Sequence, residues 1–243
     1  MLNNKIYNKV ISYSTFSALN VVVSSRFELT SGYSLLTSSS LYFTLPMPLI
    51  TIYGINNIGK TTHAKNIVKR LKKSGKKAIY VKYPIYDLKP TGPFINKILR
   101  SKNSQKISEE ELQMWYVLNR YQFEPTLKKY LKQNYIVIAE DYIGTGLAWG
   151  WTKGANLKWL ENLNKHLLKE NFAIFLDGQR TLIAKEQKHI HEQNDDLINK
   201  CTAKYRLLAK KYHWQTINAG SEKDSEKTQE MIWKCVKKIS FLF

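Results

Sequence analysis

Leu49-Ile50-Thr51-Ile52-Tyr53-Gly54-Ile55-Asn56-Asn57-Ile58-Gly59-Lys60-Thr61-Thr62 is the stretch whose reading decides the fold. Leu49, Ile50, Ile52 and Tyr53 form a short apolar run rich in strand formers. Gly54 to Thr61 fits G-x-x-x-x-G-K-[ST], the phosphate-binding loop. Beyond Thr62 an apolar stripe of Ile67, Val68 and Leu71 has helical spacing. The motif thus sits between a buried strand and a helix N-terminus, the context it needs. Average residue frequencies produce the bare pattern by accident in roughly one chain in a hundred of this length, and the flanking elements lower that further.

The spacing follows from the chemistry. Gly54 and Gly59 permit turn conformations closed to other residues, so several backbone N–H groups can converge on phosphate oxygens. The helix N-terminus adds its positive dipole end. Gly54, Asn57, Gly59, Lys60, Thr61 and Thr62 are therefore the expected donor-phosphate residues. Lys60 is expected to bridge the β- and γ-phosphates, and the Thr61 hydroxyl to ligate Mg²⁺.

The remaining sequence bounds the setting. The 243 residues (28.4 kDa) suit one α/β domain, and a hydrophobic fraction of 43% is too high for wholesale disorder. The formal charge is +19. Lysine pairs such as Lys72-Lys73, Lys76-Lys77, Lys128-Lys129, Lys210-Lys211 and Lys237-Lys238 are scattered along the chain. They read as solvated faces, with small anionic nucleotides as the ligands; neither nucleic acid nor membrane is an expected partner. Cys201 and Cys235 have no metal-ligand spacing and form no disulfide framework, so the cytoplasm is the expected compartment.

Residues 1–46 are serine-rich, acid-poor and without sustained periodicity. They are expected to be an unstructured extension or to precede a true start at Met47, and 47–243 to be the phosphate-loop domain. From Met47 strands and helices alternate, the signature of a parallel sheet covered on both faces. The expected strands are 49–53, 78–82, 135–139, 172–176 and 213–218. The expected helices are 60–74, 94–101, a long one opened by the Ser108/Glu111 capping box and kinked at Pro125, 156–170, 179–212 with an interruption near 187–194, and 222–240. Gly144, Gly146, Gly150 and Gly154 mark a loop after the third strand.

Further stretches, taken with the phosphate loop, give a family resemblance. Gly54-Ile55-Asn56-Asn57-Ile58-Gly59-Lys60-Thr61-Thr62, Lys82-Tyr83-Pro84 after the second strand, Asn119-Arg120 on the long helix, Glu140-Asp141-Tyr142 after the third strand, the following small-residue loop, Leu176-Asp177 and Tyr205 together resemble the thymidylate kinase family. The resemblance covers about 47–240. It implies a P-loop NTPase fold, a doubly wound five-stranded parallel sheet of order 2-3-1-4-5 flanked by helices. It implies transfer of the ATP γ-phosphate to a deoxynucleoside monophosphate, with dTMP as the expected acceptor, ATP and Mg²⁺ as cofactors, and a homodimer as an open option. The rivals are a deoxynucleoside kinase acting on a 5′-OH, which would want a base near Lys82-Tyr83-Pro84 where none stands, and an ATP-binding protein without turnover.

The resemblance also carries residue roles. Asn56, Lys82, Tyr83, Arg120, Tyr142, Gly146 and Trp149 are expected around the acceptor, with Arg120 on its base or phosphate and Tyr83 and Trp149 as stacking surfaces. Thr61 and Glu140 are the expected metal ligands; strand alternation is expected to turn Asp141 to the opposite face. Arg180, Lys185 and Lys188 stand where a lid would carry a cation to the transferring phosphoryl group, with Arg180 and Lys185 grouped with Lys60 as the catalytic set. Two positions depart from the family. Asn56 replaces an aspartate that contacts the acceptor sugar, and Asp141 replaces an arginine that holds the acceptor phosphate.

Overall fold

The computed structural model describes residues 47–100, 107–178, 195–219 and 224–240. The expected N-terminal extension and the segment holding Arg180, Lys185 and Lys188 lie outside the described residues.

Five strands pair in parallel in the order β2-β3-β1-β4-β5. They are β1 Leu49–Tyr53, β2 Ala78–Lys82, β3 Ile136–Glu140, β4 Phe172–Asp177 and β5 Gln215–Asn218. β1 and β3 are buried along their whole length, which is why they read as continuous apolar runs and not as alternating ones. Their register places Ile52 beside Glu140, so the phosphate loop leaves the sheet next to the end of β3.

Helices α1 Lys60–Lys73, α2 Thr91–Leu99, α3 Glu109–Lys132, α4 Ile143–Thr152, α5 Leu157–Asn164, α6 Asp195–Lys211 and α7 Ser225–Ser240 complete the described elements. α1 buries Ala64, Ile67, Val68 and Leu71, the stripe its sequence spacing announces. α3 opens where the capping box predicts: Ser108 Oγ accepts from the Glu111 N–H at 3.0 Å. It runs on through Pro125 as one helix.

The glycine-rich stretch after β3 is a helix and not the expected loop. Isolated glycines cost a helix about 1 kcal/mol each, but here they let α4 sink into its neighbours. A Cβ at Gly144 would lie 2.5 Å from the Trp214 ring, at Gly146 2.8 Å from Arg120 Nη2, and at Gly150 3.0 Å from Leu160. The close approach outweighs the propensity. α5 ends at Asn164, short of the expected 170, and there the Asn164 side chain turns in towards Arg120. Elsewhere described element ends shift by up to three residues, as at α2, which begins at Thr91 rather than 94, and α7, which begins at Ser225 rather than 222.

Candidate active site

The loop between β1 and α1 takes the shape its glycines allow. Gly59, with φ 92°, is the N-cap of α1, and Asn57 is also left-handed at φ 62°. A Cβ at Gly54 would fall 2.9 Å from Leu176 O on β4, so only glycine lets the loop pass that close to the sheet. The α1 N-terminus carries no side-chain cap. Its leading N–H groups therefore point out of the helix end, the arrangement that favours an anion.

Lys60 is nearly buried (5% exposed). Its Nζ donates to Gly54 O at 2.9 Å and Ile55 O at 2.8 Å, and stands 3.6 Å from Asp141 Oδ1. Across the crevice, Thr61 Oγ1 donates to Glu140 Oε1 at 2.9 Å. Glu140 also accepts from Tyr80 Oη and pairs with Lys82 Nζ at 3.1 Å. Burial pushes the Glu140 carboxyl up, but the Lys60 and Lys82 charges with the Tyr80 and Thr61 hydrogen bonds outweigh it, and the net shift is downward. For Asp141, burial again raises the pKa. Lys60 opposes it, yet the neighbouring Glu140 charge adds to the rise, and the net shift is upward.

The expectation that strand alternation would part these two carboxylates is overturned. Asp141 leaves β3 with φ 58°, in the left-handed region, so the period-two rule lapses at that residue. Both carboxylates then act on Lys60. Asp141 Oδ1 further accepts from Thr145 Oγ1 at 2.9 Å, and Thr145 accepts from Tyr205 Oη on α6 at 3.1 Å. Tyr80 and Thr145 have no place among the residues expected from sequence. Tyr80 carries no motif signal because it joins the site through Glu140, distant along the chain; Thr145 reaches Asp141 from one turn on, in the stretch expected to be a loop.

The expected acceptor residues divide. Lys82 lies at the crevice with its side chain about half exposed (47%), and Asn56 is partly exposed in the loop. Arg120 does not stand free to hold an acceptor. Its guanidinium is buried beneath α4, with Nη1 donating to Asn164 Oδ1 at 3.0 Å and Nη2 to Tyr142 O at 3.1 Å. Gly146 lines that contact. Tyr83 and Trp149, expected as stacking surfaces, are 2% and 7% exposed. Tyr83 packs its ring on Tyr142 (centroids 4.9 Å apart) and Phe123 (5.9 Å). Tyr142 is fully buried and donates to Leu168 O at 2.9 Å. Tyr83 and Tyr142 are core because the chain leaving β2 and β3 packs towards Phe123 on α3, and Trp149 because α4 is itself buried, neither of which position after a strand alone reveals. At the end of β4, Arg206 on α6 grips Asp177 through two hydrogen bonds of 2.8 and 3.0 Å.

The oxygen donors at Thr61 and Glu140 fit a hard divalent cation such as Mg²⁺, which takes one or two carboxylates beside phosphate oxygens. Their mutual hydrogen bond already brings the two donor groups together.

Arg120 ties α3, α4 and α5 together, so Arg120→Ala leaves the buried Asn164 Oδ1 unpaired and takes a second donor from the Tyr142 carbonyl. The expected loss is on the order of 3 kcal/mol, or roughly 6–12 °C in thermal midpoint. A melt of Arg120→Ala that superimposes on the parent's would show that the tie contributes nothing.

The comparisons with known proteins agree with this geometry. A family model described as thymidylate kinase matches residues 52–232. A thymidylate kinase of African swine fever virus is 31% identical over 137 residues, which is 56% of this chain and 54% of that enzyme; the match spans about half of the viral enzyme's length. A thymidylate kinase of Danio rerio is 23% identical over 197 residues, covering 79% of this chain and 89% of that one. In fold, the chain is similar to the thymidylate kinase from Candida albicans, with a TM-score of 0.70 at 20% identity over 80% of this chain and 93% of the other. A phosphate loop closed on the paired acids of β3, in a 2-3-1-4-5 sheet that the family model spans almost from end to end, makes this chain a member of the thymidylate kinase family.

Proposed function

We propose that the chain transfers the γ-phosphoryl group of ATP to dTMP, forming dTDP for dTTP synthesis, with Mg²⁺ held between Thr61 and Glu140. The observation that carries this reading is the convergence of Lys60 and Thr61 on the two carboxylates ending β3. Phosphoryl transfer asks little covalent chemistry of a protein; it asks for positioning and charge neutralisation. The backbone N–H groups from Gly54 to Thr61, with Asn57 and Thr62 in the same turn, cradle the donor phosphates. Lys60 exchanges its two carbonyl partners for phosphate oxygens. The metal ion, when bound, neutralises charge on the phosphates. A phosphate acceptor is already ionised, so no general base is needed, and none lies at Lys82-Tyr83-Pro84. Lys82 at the crevice, Asn56, and the cations Arg180 and Lys185 supply the remaining contacts to acceptor and transferring group. Among the described residues no helix is long and apolar enough to cross a membrane; the free cysteines suit the cytoplasm.

The α3 helix also presents Met114, Leu118 and Tyr121, which are 48%, 46% and 37% exposed. Their spacing of four and three places them on one face. This face suits a homodimer, and Leu118→Glu should then convert a dimer to a monomer in light scattering; a parent that already runs as a monomer removes the idea.

The acceptor is tested by following ADP release with each nucleoside and nucleoside monophosphate. dTMP should turn over fastest, and Lys60→Ala should lower that rate by a factor on the order of a hundred or more while its far-UV circular dichroism remains that of the folded parent. Turnover of unphosphorylated thymidine in preference to dTMP would overturn the reading, as would a fully active Lys60→Ala.

Asp141 places a carboxylate beside the lysine that must receive phosphate. Removing that competing charge in Asp141→Asn should tighten nucleotide binding, lowering KM for dTMP or ATP by about three- to tenfold, or roughly 0.7–1.4 kcal/mol. Unchanged KM values for both substrates would show that Asp141 does not oppose the phosphates.

A further inference from the structure

The lysines scattered in the sequence are gathered by the topology. Every parallel strand begins at the same edge of the sheet, and α1, α3 and α6 each lead directly into one, so their C-terminal ends return to that edge. Their last turns carry Arg70, Lys72 and Lys73; Lys129 and Lys132; and Lys210 and Lys211. Cations there complement the helix dipoles, worth about 0.3–1 kcal/mol each. That effect accounts for part of the accumulation, but not for Lys76 and Lys77, which lie beyond Gly75 in the turn before β2.

The α1–β2 and α3–β3 turns lie against each other. The Ile136 N–H donates to Lys77 O at 2.9 Å, and Lys77 Nζ stands 5.9 Å from the centre of the Tyr135 ring. Lys72, Lys73, Lys76, Lys77, Lys129 and Lys132 are all exposed, and none is ion-paired to a described carboxylate. From His63 to Lys77 and from Pro125 to Tyr135 the chain has no Asp or Glu at all. The carboxylates Glu140 and Asp141 lie at the other end of the sheet, with the nucleotide crevice.

We propose that this lysine face, opposite the crevice, binds single-stranded nucleic acid. A row of unpaired ammonium groups on two adjacent turns matches a chain of phosphates, and binding releases their condensed counterions. Half-buried Tyr130 and Tyr135, with ring centroids 5.7 Å apart, sit beside the lysines and offer rings to unpaired bases. A lipid surface is the lesser match. The residues between the lysines are Ser74, Gly75, Gln133 and Asn134, with no exposed apolar side chain to enter a bilayer.

The test uses the full chain and a fluorescein-labelled oligodeoxyadenylate of about 20 nucleotides, titrated across a salt series with the crevice saturated by ADP and dTMP. Replacing Lys73, Lys76, Lys77 and Lys132 by Gln should weaken binding about tenfold or more, and flatten the slope of log K against log salt by about 3, roughly 0.7 per lost contact. A control replacing Lys97, Lys158, Lys200 and Lys227 by Gln removes the same charge elsewhere and should leave the affinity within about twofold of the parent. Turnover of dTMP, where the parent shows it, should be the same in both variants. Equal losses in the two variants would reduce the effect to net charge and overturn the proposal. So would a parent that binds vesicles of anionic phospholipid through these lysines but not the oligonucleotide.

Discussion

Burial of one ammonium group, Lys60 Nζ, is the constraint on which the functional end of the structure depends. A charge held out of water must find partners. Lys60 finds them in two carbonyls of its own loop and in the Asp141 carboxylate. Those partners fix the loop's path between β1 and β3. Through Asp141, the constraint reaches Thr145 on α4 and Tyr205 on α6. The same carboxylate places negative charge where phosphates are to come, so the features that order the crevice also oppose its ligand.

A second buried cation organises the helices beside the crevice. Arg120 directs Nη1 to Asn164 and Nη2 to the Tyr142 carbonyl, and it can do so only because Gly146 has no side chain to keep α4 away. Glycines that by propensity should break a helix instead bring one close to an arginine that by chemistry could have been a ligand group. With Arg120 committed inwards, Lys82, itself paired with Glu140, is the cation of the expected acceptor set that remains at the crevice.

Parallel topology also separates charge. Helices that run back against the strands deliver their C-termini to one edge of the sheet, and basic last turns follow the dipoles there. The nucleotide crevice forms at the opposite edge, at the carboxyl ends of the strands. One geometric rule thus produces both the phosphate site and the cationic face behind it.

Much of this was legible along the chain, because it depends on local spacing. The phosphate loop, the strand–helix alternation, the Ser108 cap and the sheet order all rest on short motifs or regular periods, or on a family pattern anchored in them. Thr61 and Glu140 could be paired from the motif and from the family's pattern at the strand end. What the chain could not disclose are choices settled by distant neighbours. Whether 143–152 coils or sinks as a helix depends on Arg120, Leu160 and Trp214. Whether Tyr83 and Trp149 face a ligand or the core depends on the elements packed over them. Whether Asp141 turns away from Lys60 or towards it depends on one backbone angle at a strand's end. The sequence by itself determined the phosphate loop and the parallel sheet, since both follow from residues close together; the tertiary structure decided which charges meet, because burial and charge pairing depend on what the rest of the chain brings within a few ångströms.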